Sequence, residues 1–272
     1  MKKYLIIFAA LALGVLTLSA CGNKEKPAEQ EEQDLLDLLY PNGRELKDLE
    51  LTSKYMKQTM KYNIWLPPKF DANKEYPILY LLHGAGDDNN AWLADGKNAF
   101  GGVQGGSAAQ IAAKYVKANG VPMIIVMPDA QMTFYMGDFE NYMHEELMSK
   151  VESEYKFSGK RAVAGLSMGG YGTLYYALKY PQKFSYAYAM SPAADANMAY
   201  MVSDPGILPG ITVETGEADT TTPMANITPF VDAMKEKGVN IEYITVPGYG
   251  HQWEFWRACL PHALQKAGES FK

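Results

Sequence analysis

Arg161-Ala-Val-Ala-Gly-Leu-Ser-Met-Gly-Gly170 decides how the rest of the chain is read. Its first half is short and apolar on both faces, as a strand in the middle of a covered sheet must be. Its second half is rich in glycine and opens into the helix-length stretch Gly169–Tyr180. Gly165 and Gly169 stand two residues before and two after Ser167. A turn that sharp has no room for bulk at either place, and it holds the serine in strained backbone geometry with its hydroxyl raised above the sheet. The first amides of the following helix favour negative charge there. A bare G-x-S-x-G pentapeptide is common; between a buried strand and a helix it reads as a nucleophile elbow.

The flanking sequence repeats the same alternation. Leu46–Met56 and Met60–Leu66 read as two antiparallel strands before the turn at Pro67-Pro68. Near-continuous apolar runs follow at Ile78–Leu82, Met123–Met127, Arg161–Leu166, Tyr186–Met190, Ile211–Thr215 and Ile241–Val246. Helix-length segments lie between or after them, at Ala108–Ala118, Tyr142–Glu154, Gly169–Tyr180, Ile227–Lys237 and Trp253–Lys266. The pattern predicts one α/β domain over residues 41–272, with a mostly parallel central sheet, helices on both faces and an N-terminal antiparallel strand pair. Composition excludes other classes. With 47% hydrophobic residues the chain is not disordered as a whole, and a formal net charge of −6 disfavours nucleic acid as a partner. Two cysteines in 272 residues do not make a disulfide scaffold.

The N-terminus is a separate matter. Lys2 and Lys3 precede the apolar run Tyr4–Leu18, and Leu18-Ser19-Ala20-Cys21 closes it. A run this short with small residues at its end reads as a signal peptide over residues 1–20, since about 20 apolar residues are needed to span a bilayer. The last four residues resemble the lipobox of bacterial lipoproteins, which implies lipidation of Cys21 and export to the cell envelope on a membrane anchor. Removing residues 1–20 leaves 23 basic against 31 acidic residues, a net charge of −8. Gly22–Asp34 has no aliphatic side chain larger than Ala28, so residues 21–40 are expected to form a flexible tether. Cys259 is then left without a disulfide partner, inside an apolar stretch that suits a buried thiol.

A serine nucleophile needs a base, and the chain has four histidines. His144 and His262 fall on predicted helices, where a solvated or structural role is simplest. His83 follows the Ile78–Leu82 strand in His83-Gly-Ala-Gly86, a position that resembles the oxyanion loop of the hydrolase fold, which implies a role for a backbone amide rather than for the imidazole. His251 sits in the glycine-rich loop Pro247–His251 after the last strand, at the sheet edge where Ser167 is raised. For the carboxylate, the order Ser…Asp…His restricts the search to residues 168–250. Asp195, Asp204, Glu214, Glu217, Asp219 and Asp232 are the candidates. Asp219, just past the penultimate strand, is preferred, with Glu217 as the nearest rival. The amides of Met168 and Ala85 are the expected pair of oxyanion donors.

Asn63-Ile-Trp-Leu-Pro67, Tyr80-Leu-Leu-His-Gly84, Gly165-Leu-Ser-Met-Gly-Gly-Tyr171 and His251-Gln-Trp-Glu-Phe-Trp-Arg257 together resemble the esterase D-like branch of the α/β-hydrolases. The likeness spans roughly residues 46–268. It implies an α/β-hydrolase fold and a serine carboxylic ester hydrolase with Ser167 as nucleophile, Asp219 as acid, His251 as base, and Ala85 and Met168 at the oxyanion. For an exported member it implies an acylated carbohydrate as substrate, with feruloyl or acetyl groups removed. A siderophore esterase, an acyltransferase with the same triad and a non-catalytic glycan-binding lipoprotein are the alternatives. His83, Gly84, Trp92, Tyr171 and Tyr249 are candidate substrate contacts, whereas Trp253 and Trp256, three apart on a helix, suit core packing. No H-E-x-x-H or paired-cysteine spacing calls for a metal, and no cofactor is expected. Gly101–Gly106 follows no predicted strand and reads as a mobile loop near the substrate entrance.

Overall fold

The computed structural model of the protein describes residues 28–97, 99 and 101–272. The expected signal peptide, Cys21 and the first part of the tether lie outside the described residues. The strands are β1 (Arg44–Ser53), β2 (Gln58–Leu66), β3 (Tyr76–Leu82), β4 (Ile124–Pro128), β5 (Phe157–Leu166), β6 (Tyr186–Met190), β7 (Gly210–Gly216) and β8 (Ile241–Val246). They form one sheet in the order β1-β2-β4-β3-β5-β6-β7-β8. β1 pairs antiparallel with β2, and β2 antiparallel with β4; every other neighbouring pair is parallel. The expected α/β architecture with its N-terminal antiparallel pair is therefore the observed one.

Each inner strand is apolar on both faces because each face has its own core. Ile78, Tyr80 and Leu82 of β3 join Val126 and Val163 on one side, while Leu79 and Leu81 join Ile125, Ala162 and Ala164 on the other. The first core is covered by α5 (Met168–Lys179) and α6 (Met224–Glu236), and by α3 (Asp138–Asn141), which continues through a π-helical turn at Tyr142–Leu147 into α4 (Met148–Glu154). The second is covered by α2 (Ala108–Lys117) and α7 (Trp253–Ser270). Cys259 is buried and unpaired in the second core, as expected.

Two expectations are corrected. The tether read over residues 21–40 contains a helix, α1 (Ala28–Leu39). Alanine, glutamate, glutamine and leucine are strong helix formers, acids crowd its first half, and Gln30 donates to Asp34 one turn on at 2.9 Å. Leu38 and Leu39 are 76% and 57% exposed, so local propensity winds this segment without a buried face. The Gly101–Gly106 stretch is held in place at its C-terminal half. Val103–Gln104 pairs with Gly96–Lys97 in a two-stranded ribbon, the Val103 amide donates to Glu254 at 2.7 Å, and Arg257 donates to the carbonyls of Gly105 (2.6 Å) and Gln104 (3.1 Å).

The turn after β3 is anchored by buried amides. Asn63, fully buried on β2, donates to the Asn89 carbonyl (2.8 Å) and the Asn90 side chain (2.9 Å), and accepts from the Asn89 side chain at 2.8 Å. Asp48, at φ 51 in the β1 bulge, closes the network by accepting from Asn89 and Asn90 at 3.1 and 3.2 Å. Removing Asn63 takes partners from the buried carbonyl and side chain of Asn89, from the half-buried Asn90 and from the Asp48 amide. Asn63→Ala is expected to lower stability by about 1–3 kcal/mol, read as a lower urea midpoint at unchanged m.

Candidate active site

The parallel strands end at one edge of the sheet, and the loops beyond β3, β5, β7 and β8 bring Ala85, Ser167, Asp219 and His251 to that edge. Ser167 is the residue before α5, with φ 53 and ψ −115. Such a conformation costs a non-glycine residue on the order of 1–3 kcal/mol and must be held by its surroundings. The Ser167 amide donates to Met190 (2.9 Å), and its carbonyl accepts from Tyr171 (2.9 Å) and Ala193 (3.1 Å). The glycines permit this. A Cβ at Gly165 would meet the Gly169 carbonyl oxygen at 2.5 Å, and one at Gly169 would meet the Leu82 and His83 oxygens at 2.4 and 2.6 Å.

Ser167 Oγ lies 2.9 Å from His251 Nε2, and His251 Nδ1 lies 2.8 Å from Asp219 Oδ2. The Asp219 side chain is fully buried. Burial raises a carboxyl pKa, but hydrogen bonds from His251 and from the amide and hydroxyl of Thr222 outweigh it and hold Asp219 down at about 2. Its Oδ1 accepts the amides of Thr221 (2.9 Å) and Thr222 (2.8 Å), and its Oδ2 the Thr222 hydroxyl at 2.9 Å. An ionised carboxylate only accepts, so Nδ1 of His251 carries the proton and Nε2 presents its lone pair to the serine hydroxyl. This arrangement can take the serine proton as the oxygen attacks a carbonyl, and can hold the imidazolium that results.

The rival acids are committed elsewhere. Glu217 is exposed and accepts from Thr245 at 3.1 Å. Asp195 and Asp204 cap their own turns, through the amides of Asn197 (2.7 Å) and Gly206 (2.8 Å). Glu214 is buried against the Tyr188 hydroxyl, and Asp232 is exposed on α6.

Met168 is the first residue of α5, so its amide precedes the intrahelical bonding pattern. Ala85 is exposed on the turn after β3, and that turn touches the nucleophile: a Cβ on Gly84 would stand 3.5 Å from Ser167 Cβ. His83 is scaffolding. It is buried, Nδ1 bonds the Gly84 carbonyl at 2.8 Å, Nε2 accepts the Ala130 amide at 2.9 Å, and burial lowers its pKa. Trp92, expected as a substrate contact, is also scaffolding. It is 1% exposed, its indole N–H donates to Leu82 at 3.0 Å, and its ring meets Trp253 edge-on at 5.3 Å. Trp253 and Trp256 are core residues as expected, and Trp256 packs edge-on against the His251 ring at 4.9 Å.

Tyr171 is half-buried one turn into α5, with its hydroxyl on Met136 Sδ at 3.4 Å and its ring edge-on to Phe134 at 5.8 Å. Phe134 and Met136 belong to the loop after β4 and were not among the candidate contacts. Tyr249 is half-buried and packs against Phe255; its carbonyl accepts the Ala218 amide at 2.9 Å, which ties the acid and base loops together. Thr222 was missed as well. The available signal was the Asp219-Thr-Thr-Thr222 run, in which a carboxylate can take the amides two and three residues on. Among the described residues, no group of three or more His, Cys, Asp or Glu side chains converges as a metal site would.

The family described as "Putative esterase" matches residues 53–267. An endo-1,4-beta-xylanase/feruloyl esterase of Xylanibacter ruminicola is 27% identical over 222 residues, which is 75% of this chain and 28% of that protein. An acetyl esterase of Caldicellulosiruptor saccharolyticus is 23% identical over 235 residues, 69% of this chain and 81% of that protein. The chain thus spans little more than a quarter of the first relative and most of the second. Among solved structures, a ferulic acid esterase superposes with a TM-score of 0.73 at 25% identity, covering 84% of this chain and 99% of that one.

Asp219→Asn removes the fixed acceptor and favours the wrong imidazole tautomer, so kcat should fall on the order of 10³–10⁴-fold. Asp219 is held at about 2 against its ordinary 3.8, so the stability it contributes is present above about pH 4 and lost as pH falls toward 2. The difference in unfolding free energy between the native protein and Asp219→Asn should shrink across that window in acid-jump denaturation.

Proposed function

The chain belongs to the putative esterase family, and from that premise we propose that it is a serine carboxylic ester hydrolase working through an acyl-enzyme. The observation that carries this reading is the unbroken relay from Ser167 through His251 to the buried Asp219, at 2.9 and 2.8 Å. His251 takes the Ser167 proton as Oγ attacks the ester carbonyl. The tetrahedral oxyanion draws on the amides of Met168 and Ala85 at the start of α5 and on the β3 turn. Collapse of the intermediate expels the alcohol, which takes the proton from His251. Water, deprotonated by the same imidazole, then releases the acid and restores the serine.

The substrate we propose is an acylated carbohydrate carrying feruloyl or acetyl groups. The relatives include a xylanase/feruloyl esterase and an acetyl esterase. Beside the nucleophile, Tyr171, Phe134 and Met136 supply aromatic and thioether surface that suits a phenolic acyl group. We also propose that the protein is exported and held to the cell envelope by lipid on Cys21, a reading supported by the order of Lys2-Lys3, the apolar run and the lipobox-like Leu18–Cys21.

Ser167→Ala should lose at least about 10⁴-fold in kcat on 4-nitrophenyl acetate and on methyl ferulate while melting as a folded protein. Retained activity would remove Ser167 from the mechanism. A panel of methyl ferulate, acetylated xylan and a siderophore ester, each with and without a sugar acceptor, separates the substrate classes and detects acyl transfer. Cys21→Ser should abolish incorporation of an alkyne fatty acid and release the protein from the membrane fraction.

A further inference from the structure

The turn after β3 carries an acidic group that the relay does not use. The Asp87 amide closes the turn on the Gly84 carbonyl at 3.2 Å, with Gly86 at φ +81. The Asp87 side chain folds back over Gly84: a Cβ there would lie 3.5 Å from Asp87 Oδ2 and 3.5 Å from Ser167 Cβ. The carboxylate and the nucleophile therefore flank one glycine, beside the Ala85 amide.

Among the described residues no Lys, Arg or His forms an ion pair with the Asp87 carboxylate; burial and then Asp88 push its pKa up to about 6, and the Gly84 amide alone draws it down. The groups around it are acidic or neutral. Asp88 shares the turn and is exposed. His83, at the end of β3, has both ring nitrogens engaged and a lowered pKa. Asp129, after β4, lies 3.7 Å from that ring, and Tyr135 from the same loop donates its hydroxyl to the His83 carbonyl. The residue before α5 is the serine itself, and the loop after β8 brings His251, whose Nδ1 is held by Asp219. A turn acceptor alone does not require a charge, since asparagine accepts equally well. Placed beside a developing oxyanion, negative charge opposes the reaction. It repels an anionic substrate by the same field.

We propose that Asp87 is a specificity-determining residue that admits neutral, hydroxyl-bearing esters and turns away esters carrying a carboxylate near the scissile bond. This rests on the ester-hydrolase reading and deepens it. Two isosteric pairs test it: 4-carboxyphenyl against 4-carbamoylphenyl acetate for the alcohol side, and monomethyl terephthalate against methyl 4-carbamoylbenzoate for the acyl side. The readout is the ratio of kcat/KM for the anionic ester to that for the neutral one, in which the protonation of His251 cancels.

Asp87→Asn should raise that ratio about tenfold in at least one pair, by removing a like charge in a half-buried site. Asp87→Glu should keep the native ratio. Between about pH 5.5 and 8, where the substrates' carboxylates stay ionised, the native ratio should rise as pH falls through about 6, and the Asn variant's should stay flat. An Asn variant that changes both members of each pair equally makes Asp87 a turn residue and overturns the proposal. Full activity in Ser167→Ala would instead overturn the reading beneath it, so the two failures are distinct.

Discussion

Where α5 begins, Gly169 is pressed so closely against the carbonyls of Leu82 and His83 that a methyl group has no place between them. That approach brings the N-terminus of α5 against the end of β3, and the rest of the site depends on it. Ser167 must enter the left-handed side of backbone space because the chain has one residue in which to turn from β5 into α5. The same contact sets Gly84 beside Ser167 Cβ, so the two amides expected to face an oxyanion come from elements that already touch. Preorganised donors of this kind do not reorganise during reaction, which is why they stabilise charge better than water does.

The charge arrangement is economical. One carboxylate, Asp219, is dehydrated and held ionised by the hydrogen bonds it accepts, and it holds Nδ1 of the His251 imidazole. Thr222 links that carboxylate to the start of the β6–β7 connection, because its hydroxyl lies within 3.1 Å of the Ser191 carbonyl as well. Trp256 closes one side of the imidazole and the Tyr249 carbonyl holds the two loops together. The base is thereby oriented from three directions by groups on different elements.

Much of this was legible in the chain. The strand runs at Tyr186–Met190 and Ile241–Val246 match the observed strands residue for residue: the first is an inner strand whose burial leaves an unbroken apolar signature, and the second, a half-buried edge strand, is marked by its β-branched and aromatic residues between turn glycines. Helix ends were less legible. α7 continues past Lys266 to Ser270, since Ala267 and Phe271 still pack on the second core. α1 formed where low hydrophobicity suggested none, because helix propensity is local and does not need a core. Trp92 looked like a ligand contact from its place after the oxyanion turn, but a large ring with one donor is equally suited to a buried site that offers one carbonyl.

By itself the sequence determined the parallel sheet, the elbow at Ser167 and the base at His251, because each is written in a contiguous pattern: apolar runs, glycines at fixed offsets, a histidine in a loop after the last strand. Only the tertiary structure decided that Asp219 rather than Glu217 meets the imidazole, that Thr222 completes its hydrogen bonds, and that Trp92 is covered while Tyr171 stays half open. Those outcomes depend on which side of a loop faces inward, and that is set by packing between segments distant in the chain, which no local spacing records.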